Sequence, residues 1–426
     1  SAREAEHLYE DLNFFLGEEH SGAPLQKRVH LFPSWEVLPF ENLSPHPENI
    51  AGRLEGLYKL VEEPAPVLIA TPAALMQKVI PKESLKRSYL YLVAGQELSR
   101  EALLEHLVAW GFQNVPLVEE RGDFSIRGGI VDLFSPGYAL PLRLEFDGDR
   151  LDSIREFNPS TQRSAQQREE LLLLPMKEFS LKQNGSDAVV RRLDQRAVEL
   201  EVDRRVKNSL IESVRAGIPF PGMEFLVPYF SEPLVPVTAY LPQQTIVWLD
   251  GADRIEAEAE RFGRITWERS RQAEEEHRLV APLESLYLSE HQFQEALASF
   301  AQVQGESLTL LAASERVQAT TLTVESYLTT DIRQETAHTG KDPTLLPLVE
   351  HLKAWEKQRV IFVAPTKADG TRLRELLANY NYQLPLIETS LPVLLERTDF
   401  AQAIICGQLN HGFRMPEAGL VVVTFD

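Results

Sequence analysis

Between Arg121 and Phe157 apolar and polar residues alternate with a period of two, in a chain whose other apolar runs are separated by helix-period segments. A period of two sends successive side chains to opposite faces of a strand, so this stretch calls for antiparallel ribbons with one buried and one solvated face. The flanking texture demands another architecture. Helical patterns such as AGRLEGLYKLVEE and LLPLVEHLKAWEKQ alternate with apolar runs such as PVLIATPAAL, QTIVWLD and RVIFVAPT, the signature of parallel sheets covered on both faces. One chain therefore carries an α+β insert inside an α/β body. At 426 residues it is also long enough for about three domains.

The domain expectations follow these changes in texture. Residues 1–89 form the first part of an α/β domain, opening with an amphipathic helix over residues 1–17, and residues 90–173 form the inserted α+β domain. Residues 174–328 return to the α/β body. A polar stretch at 329–341 is the linker, and residues 342–426 form a second small α/β domain.

Charge and composition exclude several functions. The net charge of −20 gives the average surface no field for attracting DNA or anionic lipid. The insert departs from that average, because between residues 121 and 168 seven arginines balance seven acids. No apolar run is long enough to span a bilayer, and the charged N-terminus lacks a leader pattern, so a cytoplasmic protein is expected. The single cysteine, Cys406, forms no internal disulfide and reads as a small core residue.

Within the insert, Asp147-Gly148 stands between two alternating runs and predicts a two-residue hairpin turn. Directly opposed residues then pair Arg143 with Asp152, Glu145 with Arg150 and Leu144 with Leu151. Leu142, Leu144 and Phe146 share the apolar face. In the preceding ribbon Phe124 and Ile126 point inward, Arg127 points outward, and Gly128-Gly129 permits a bulge or kink. An exposed cross-strand ion pair at Arg143 contributes only about 0.2–1 kcal/mol. Arg127 has no evident partner, and its planar guanidinium suits a carboxylate on another protein.

These blocks carry a family resemblance. RGDFSIRGGIVDLFSPG, RLEFDGDRLDSIREFNPSTQRS, LFPSWEVLPFENLSPH, FPGMEFLVPYF and GQLNHGFRMPEAGLVVV together resemble the N-terminal half of the bacterial transcription-repair coupling factors (Mfd), whose first three domains resemble the excision-repair protein UvrB. The resemblance implies a degenerate P-loop-ATPase-like parallel sheet, an inserted small α+β domain that binds UvrA, and a following small α/β domain. It assigns the UvrA contact to Arg127, Arg143 and Phe146. Where the family commonly has a second aromatic after Phe146, this chain has Asp147. The resemblance further implies that RNA polymerase and DNA are engaged through domains outside this chain.

Catalytic motifs are not evident in the sequence. TGKD at 339–342 lacks the upstream glycine and the hydroxyl residue of a P-loop, and Asp250 ends an apolar strand in the manner of a Walker B acid but is followed by Gly251. Neither HExxH nor G-x-S-x-G occurs. The aromatic, proline-rich IPFPGMEFLVPYF reads as core filling. The expected function is thus a non-catalytic recruitment module with no cofactor, the alternative being a nucleotide-dependent DNA translocase domain of the UvrB type.

Overall fold

A computed structural model describes residues 1–18, 28–63, 65–179, 187–305, 323–326, 345–397 and 400–425. The chain divides into two compact units, residues 30–309 and residues 1–29 with 310–426.

In the first unit, β1 (Val29–Phe32) and β2 (Val67–Ala70) form a two-stranded sheet. Between them runs a helix, Pro47–Glu62, with Pro47 at its first position, where the missing N–H costs nothing. Its inner stripe of Ile50, Leu54 and Leu57 is fully buried.

The insert begins at β3 (Leu90–Val93) and ends at β10 (Glu170–Leu173), which pair antiparallel and bring entry and exit side by side. A helix, Arg100–Ala109, is capped by Ser99 and buries Leu103 and Leu107, with Trp110 completing the i, i+4, i+7 stripe. Six strands follow in sequence order: β4 (Gln113–Asn114), β5 (Asp123–Arg127), β6 (Ile130–Leu133), β7 (Leu142–Asp147), β8 (Arg150–Phe157) and β9 (Ser164–Arg168). Phe124, Val131, Leu133, Leu142, Leu144, Leu151 and Ile154 turn one face of this sheet onto the helix and onto Leu92, Leu171 and Leu173. Among the described residues that core is built from residues 90–176.

Two details differ from the sequence reading. The turn between β7 and β8 is Gly148-Asp149, flanked by the pair Asp147 and Arg150, one residue later than the Asp147-Gly148 turn expected. Gly148 takes the positive φ of 61° that the reversal needs. A register shift then falls between Glu145 and Phe146, so Leu144 opposes Ile154 and Glu145 opposes Ser153. Gly128-Gly129 is a two-residue hairpin turn joining Arg127 to Ile130, and the bulge lies in the neighbouring hairpin.

After the insert, the charged segment DAVVRRLDQRAVELEVDRRVKNSLIESVRAG folds as two helices, Asp187–Glu199 and Arg204–Ala216. Asp203 breaks the pattern because its carboxylate caps the second helix, accepting from the N–H of Arg205 at 2.8 Å. Met223, Leu226, Val227 and Phe230 from the proline-rich stretch fill the core beneath both helices. β11 (Ile246–Asp250) and β12 (Ala301–Gly305) form a parallel pair spanned by the long helix Ala252–Glu275 and by Glu290–Ala298. Strand pairing in the α/β body consists, among the described residues, of the two-stranded sheets β1–β2 and β11–β12 and of isolated bridges between Gln77 and Tyr287 and between Val79 and Val235. The architecture is mixed α/β with several small sheets.

The second unit holds a five-stranded sheet. β13 (Glu325–Ser326) and β16 (Phe413–Met415) form its antiparallel edge, and β17 (Leu420–Thr424), β14 (Arg359–Ala364) and β15 (Gln402–Cys406) run parallel. Both faces of β14 are buried. Val360, Phe362 and Ala364 pack toward Leu352, Leu373 and Leu377, while Ile361 and Val363 pack toward Leu391, Leu394 and Phe14. Phe14 belongs to the N-terminal helix Ala2–Leu16, which thus covers the C-terminal sheet instead of opening the first α/β unit. Cys406 is half-buried at the end of β15. The expected linker at 329–341 and the TGKD stretch lie outside the described residues.

Candidate partner-binding face

Strand alternation sets the face of the insert sheet that points away from its core. Ser125, Asp132, Arg143 and Arg155 stand side by side across β5 to β8. Arg127 is two residues beyond Ser125 and diagonal to Asp132, within reach of a long side chain. The turn beside Arg127 is pinned twice. Arg100 donates from Nη1 to the carbonyl of Gly128 at 2.6 Å, and the N–H of Phe146 donates to the carbonyl of Gly129 at 2.8 Å. A Cβ on Gly129 would lie 2.7 Å from the carbonyl oxygen of Phe146, so only glycine permits this close approach.

Asp132 is the centre of the face. Its carboxylate is 1% exposed and accepts from both arginines: Arg143 Nε to Oδ1 at 2.7 Å, Arg143 Nη2 to Oδ2 at 2.9 Å, and Arg127 Nη2 to Oδ2 at 2.7 Å. Two parallel bonds from one guanidinium form a fork, a charge-assisted arrangement about twice as strong as neutral hydrogen bonds and more specific in geometry. Desolvating a carboxylate costs several kcal/mol, and here two cations offset that cost and leave the cluster with one net positive charge. The bond to Asp132 raises the Arg143 pKa further above its already high ordinary value.

The two arginines differ in access. The side chain of Arg143 is 16% exposed and its guanidinium stacks on Phe157, 4.8 Å from the ring centroid. Arg127 is 49% exposed. The Asn158–Arg163 loop closes over one flank of the clamp. Asn158 Oδ1 accepts from the N–H groups of Ser160 and Thr161, each at 3.0 Å, and Gln162, at a φ of 57°, accepts from Arg127 Nη2 through Oε1 at 3.4 Å. The NPSTQR block thus folds into a lid fragment over the arginine pair.

The structure brings Arg127 and Arg143 together on one face and places Phe146 on the other. Phe146 is half-buried against the inner cluster with Leu142 and Leu144. The pairings expected for the second hairpin do not form. Arg143 bonds Asp132, not Asp152. Glu145 accepts from Ser153 Oγ at 2.6 Å and lies 3.7 Å from Arg155, and Arg150 pairs instead with Asp152 at 3.4 Å. Arg127, expected to lack a partner, shares Asp132. Ile126, expected inward, is exposed near the turn. Asp132 itself was missed, although its place two residues after Ile130 in the alternating ribbon put it on the arginine face.

Elsewhere Asp250 is exposed at the end of β11, 3.9 Å from Arg254. Among the described residues no group of three or more His, Cys, Asp or Glu is placed to hold a metal ion. No helix among them is long and apolar enough to cross a membrane.

Comparison with known proteins places this face in a family. Residues 90–179 match the family described as UvrB interaction domain. Over 98% of its length the chain is 32% identical to a transcription-repair-coupling factor of Myxococcus xanthus, and it covers 35% of that protein. It is 30% identical to the Escherichia coli (strain K12) protein of the same name over 89% of the chain, and 24% identical to that of Bacillus subtilis (strain 168) over 93%. The chain spans about a third of the length of these relatives.

Proposed function

We propose, since this chain belongs to the transcription-repair-coupling factors and corresponds to about a third of such a protein, that it is a recruitment module whose insert binds UvrA. The observation that carries this reading is the Arg127–Asp132–Arg143 clamp, a preformed cationic cluster with one guanidinium half in solvent on an otherwise acidic chain. Such a cluster selects a carboxylate-bearing protein surface, because arginine donates to planar acceptors and the net charge of the rest of the chain repels polyphosphate. Arg127 makes the direct contact, the exposed edge of Arg143 adds to it, and Phe146 supports the hairpin end from beneath. In this reading the output is binding, in the cytoplasm, near stalled transcription complexes. RNA polymerase, DNA and ATP are engaged by regions of the family protein outside this chain.

The α/β body fits a P-loop-ATPase-like layer that has lost its catalytic residues. β11 and β12 form a parallel pair with a helical crossover, and the strand ends in Asp250 with Gly251 where a second acid would be needed.

The test is capture of the chain by immobilised UvrA. Wild type is expected to bind, and Arg127→Ala to lose at least tenfold in affinity with its melting temperature nearly unchanged. Undiminished capture of folded Arg127→Ala overturns the assignment.

A further inference from the structure

The carboxylate of Asp132 is 1% exposed, and among the described residues its side-chain hydrogen bonds come from Arg127 and Arg143. Stability alone does not account for it, since replacing a whole buried ion cluster by well-packed apolar residues is often neutral or stabilising. Its effect on the arginines does. An unrestrained arginine side chain carries rotamer entropy that a binding partner must overcome. Among the described residues Arg127 spends only Nη2, on Asp132 and Gln162, which leaves Nε and Nη1 for an incoming acceptor.

We infer that Asp132 is a positioning residue for UvrA capture: it never touches the partner, but fixes the two guanidinium groups in their binding directions and leaves the Nε and Nη1 groups of Arg127 aimed at a carboxylate of the partner. This rests on the reading of the face as a UvrA-binding surface. The Asn158–Arg163 loop contributes through Gln162, whose side-chain and main-chain oxygens lie 3.4 Å from Arg127 Nη2 and 3.5 Å from Arg143 Nη1.

The test compares wild type, Asp132→Asn, Arg127→Ala/Arg143→Ala and the triple variant, using the whole chain. UvrA affinity is measured by calorimetry, and the arginine Nε–Hε resonances by nitrogen-15 NMR. In wild type the Arg143 Nε–Hε signal is expected to be resolved and protected from exchange by its bond to Asp132. In folded Asp132→Asn it should merge with solvent-exposed arginines, and UvrA affinity should fall about tenfold. Adding Asp132→Asn to the double arginine variant should change the residual affinity less than twofold, because the residue then has nothing to orient. Wild-type affinity in Asp132→Asn, a retained Arg143 signal, or an equal loss with and without the arginines overturns the inference while leaving UvrA binding intact. A wild-type chain that fails to bind UvrA overturns the functional reading and this inference with it.

Discussion

Arg143 holds Asp132 through two parallel hydrogen bonds, Nε to Oδ1 at 2.7 Å and Nη2 to Oδ2 at 2.9 Å, while Arg127 reaches the same carboxylate with a single group. The two arginines should therefore differ in their effect on stability. Arg143→Ala leaves a buried carboxylate with one partly solvated partner and is expected to cost about 3 kcal/mol, as for other broken buried pairs. Arg127→Ala removes a half-exposed partner and should cost about 1 kcal/mol or less. Urea unfolding followed through the fluorescence of Trp110, which lies in the insert core, measures both. Equal losses would mean that Asp132 is not the shared anchor.

The two turn glycines separate a strained conformation from a blocked one. Gly128 has a φ of 62° with open space around its missing Cβ, so Gly128→Ala should cost only the left-handed backbone penalty, about 1 kcal/mol. Gly129→Ala would drive a Cβ to within 2.7 Å of the Phe146 carbonyl oxygen, and backbone must move to relieve it. That variant should lose about 2–3 kcal/mol and weaken the hydrogen bond from Phe146 to Gly129. Amide exchange at Phe146 reports the second effect, and an order in which Gly128→Ala is the worse of the two contradicts the placement.

The buried face of the insert was legible because alternation is local: Leu142, Leu144 and Phe124 went inward as a period of two requires. The polar face was legible only in part. Placing the turn one residue too early moved the predicted partners of Arg143 and Glu145, since each step of register changes the residue directly opposite. No turn rule could reveal that Asp132 draws both arginines, because that contact joins three strands. The N-terminal helix shows the same limit. Its apolar stripe demanded a sheet to cover, but a stripe does not say which one, and Phe14 chose Ile361 and Val363 more than three hundred residues away.

Glu224 should make stability depend on pH. Burial is the largest influence on it and raises its pKa above the ordinary 4.5, despite a hydrogen bond from Ser44 Oγ at 2.8 Å. Lys177, the nearby cation, is itself pushed down by burial and compensates only weakly. The folded state then keeps the proton where the unfolded chain has lost it, so stability falls as pH rises from about 4.5 through the raised value. Glu224→Gln keeps an acceptor for Ser44 and removes the charge. Its melting temperature should exceed that of wild type at about pH 8 and converge on it at about pH 4. A constant difference across that range would sink the assignment.

The pair that joins the insert's exit to the α/β body offers a separate test. Arg53 on the helix Pro47–Glu62 is fully buried and donates from Nε to Glu178 Oε1 at 2.6 Å, five residues past β10. Trp35 Nε1 donates to the same oxygen at 3.1 Å, Arg53 Nη1 donates to the Pro33 carbonyl at 3.1 Å, and the guanidinium lies 4.8 Å from the Phe32 ring centroid. Arg53 Nη2 has no hydrogen-bond partner among the described residues, so the pair is incompletely satisfied. Removing one member strands a charge in a site closed to water, and Glu178→Leu or Arg53→Met alone should each cost about 3–5 kcal/mol. Replacing both leaves neither charge and should cost much less than the sum of the two. Urea denaturation of the four proteins closes the cycle. Additive losses would show that the two residues act independently, and that the insert is held to its body by the surrounding apolar contacts instead.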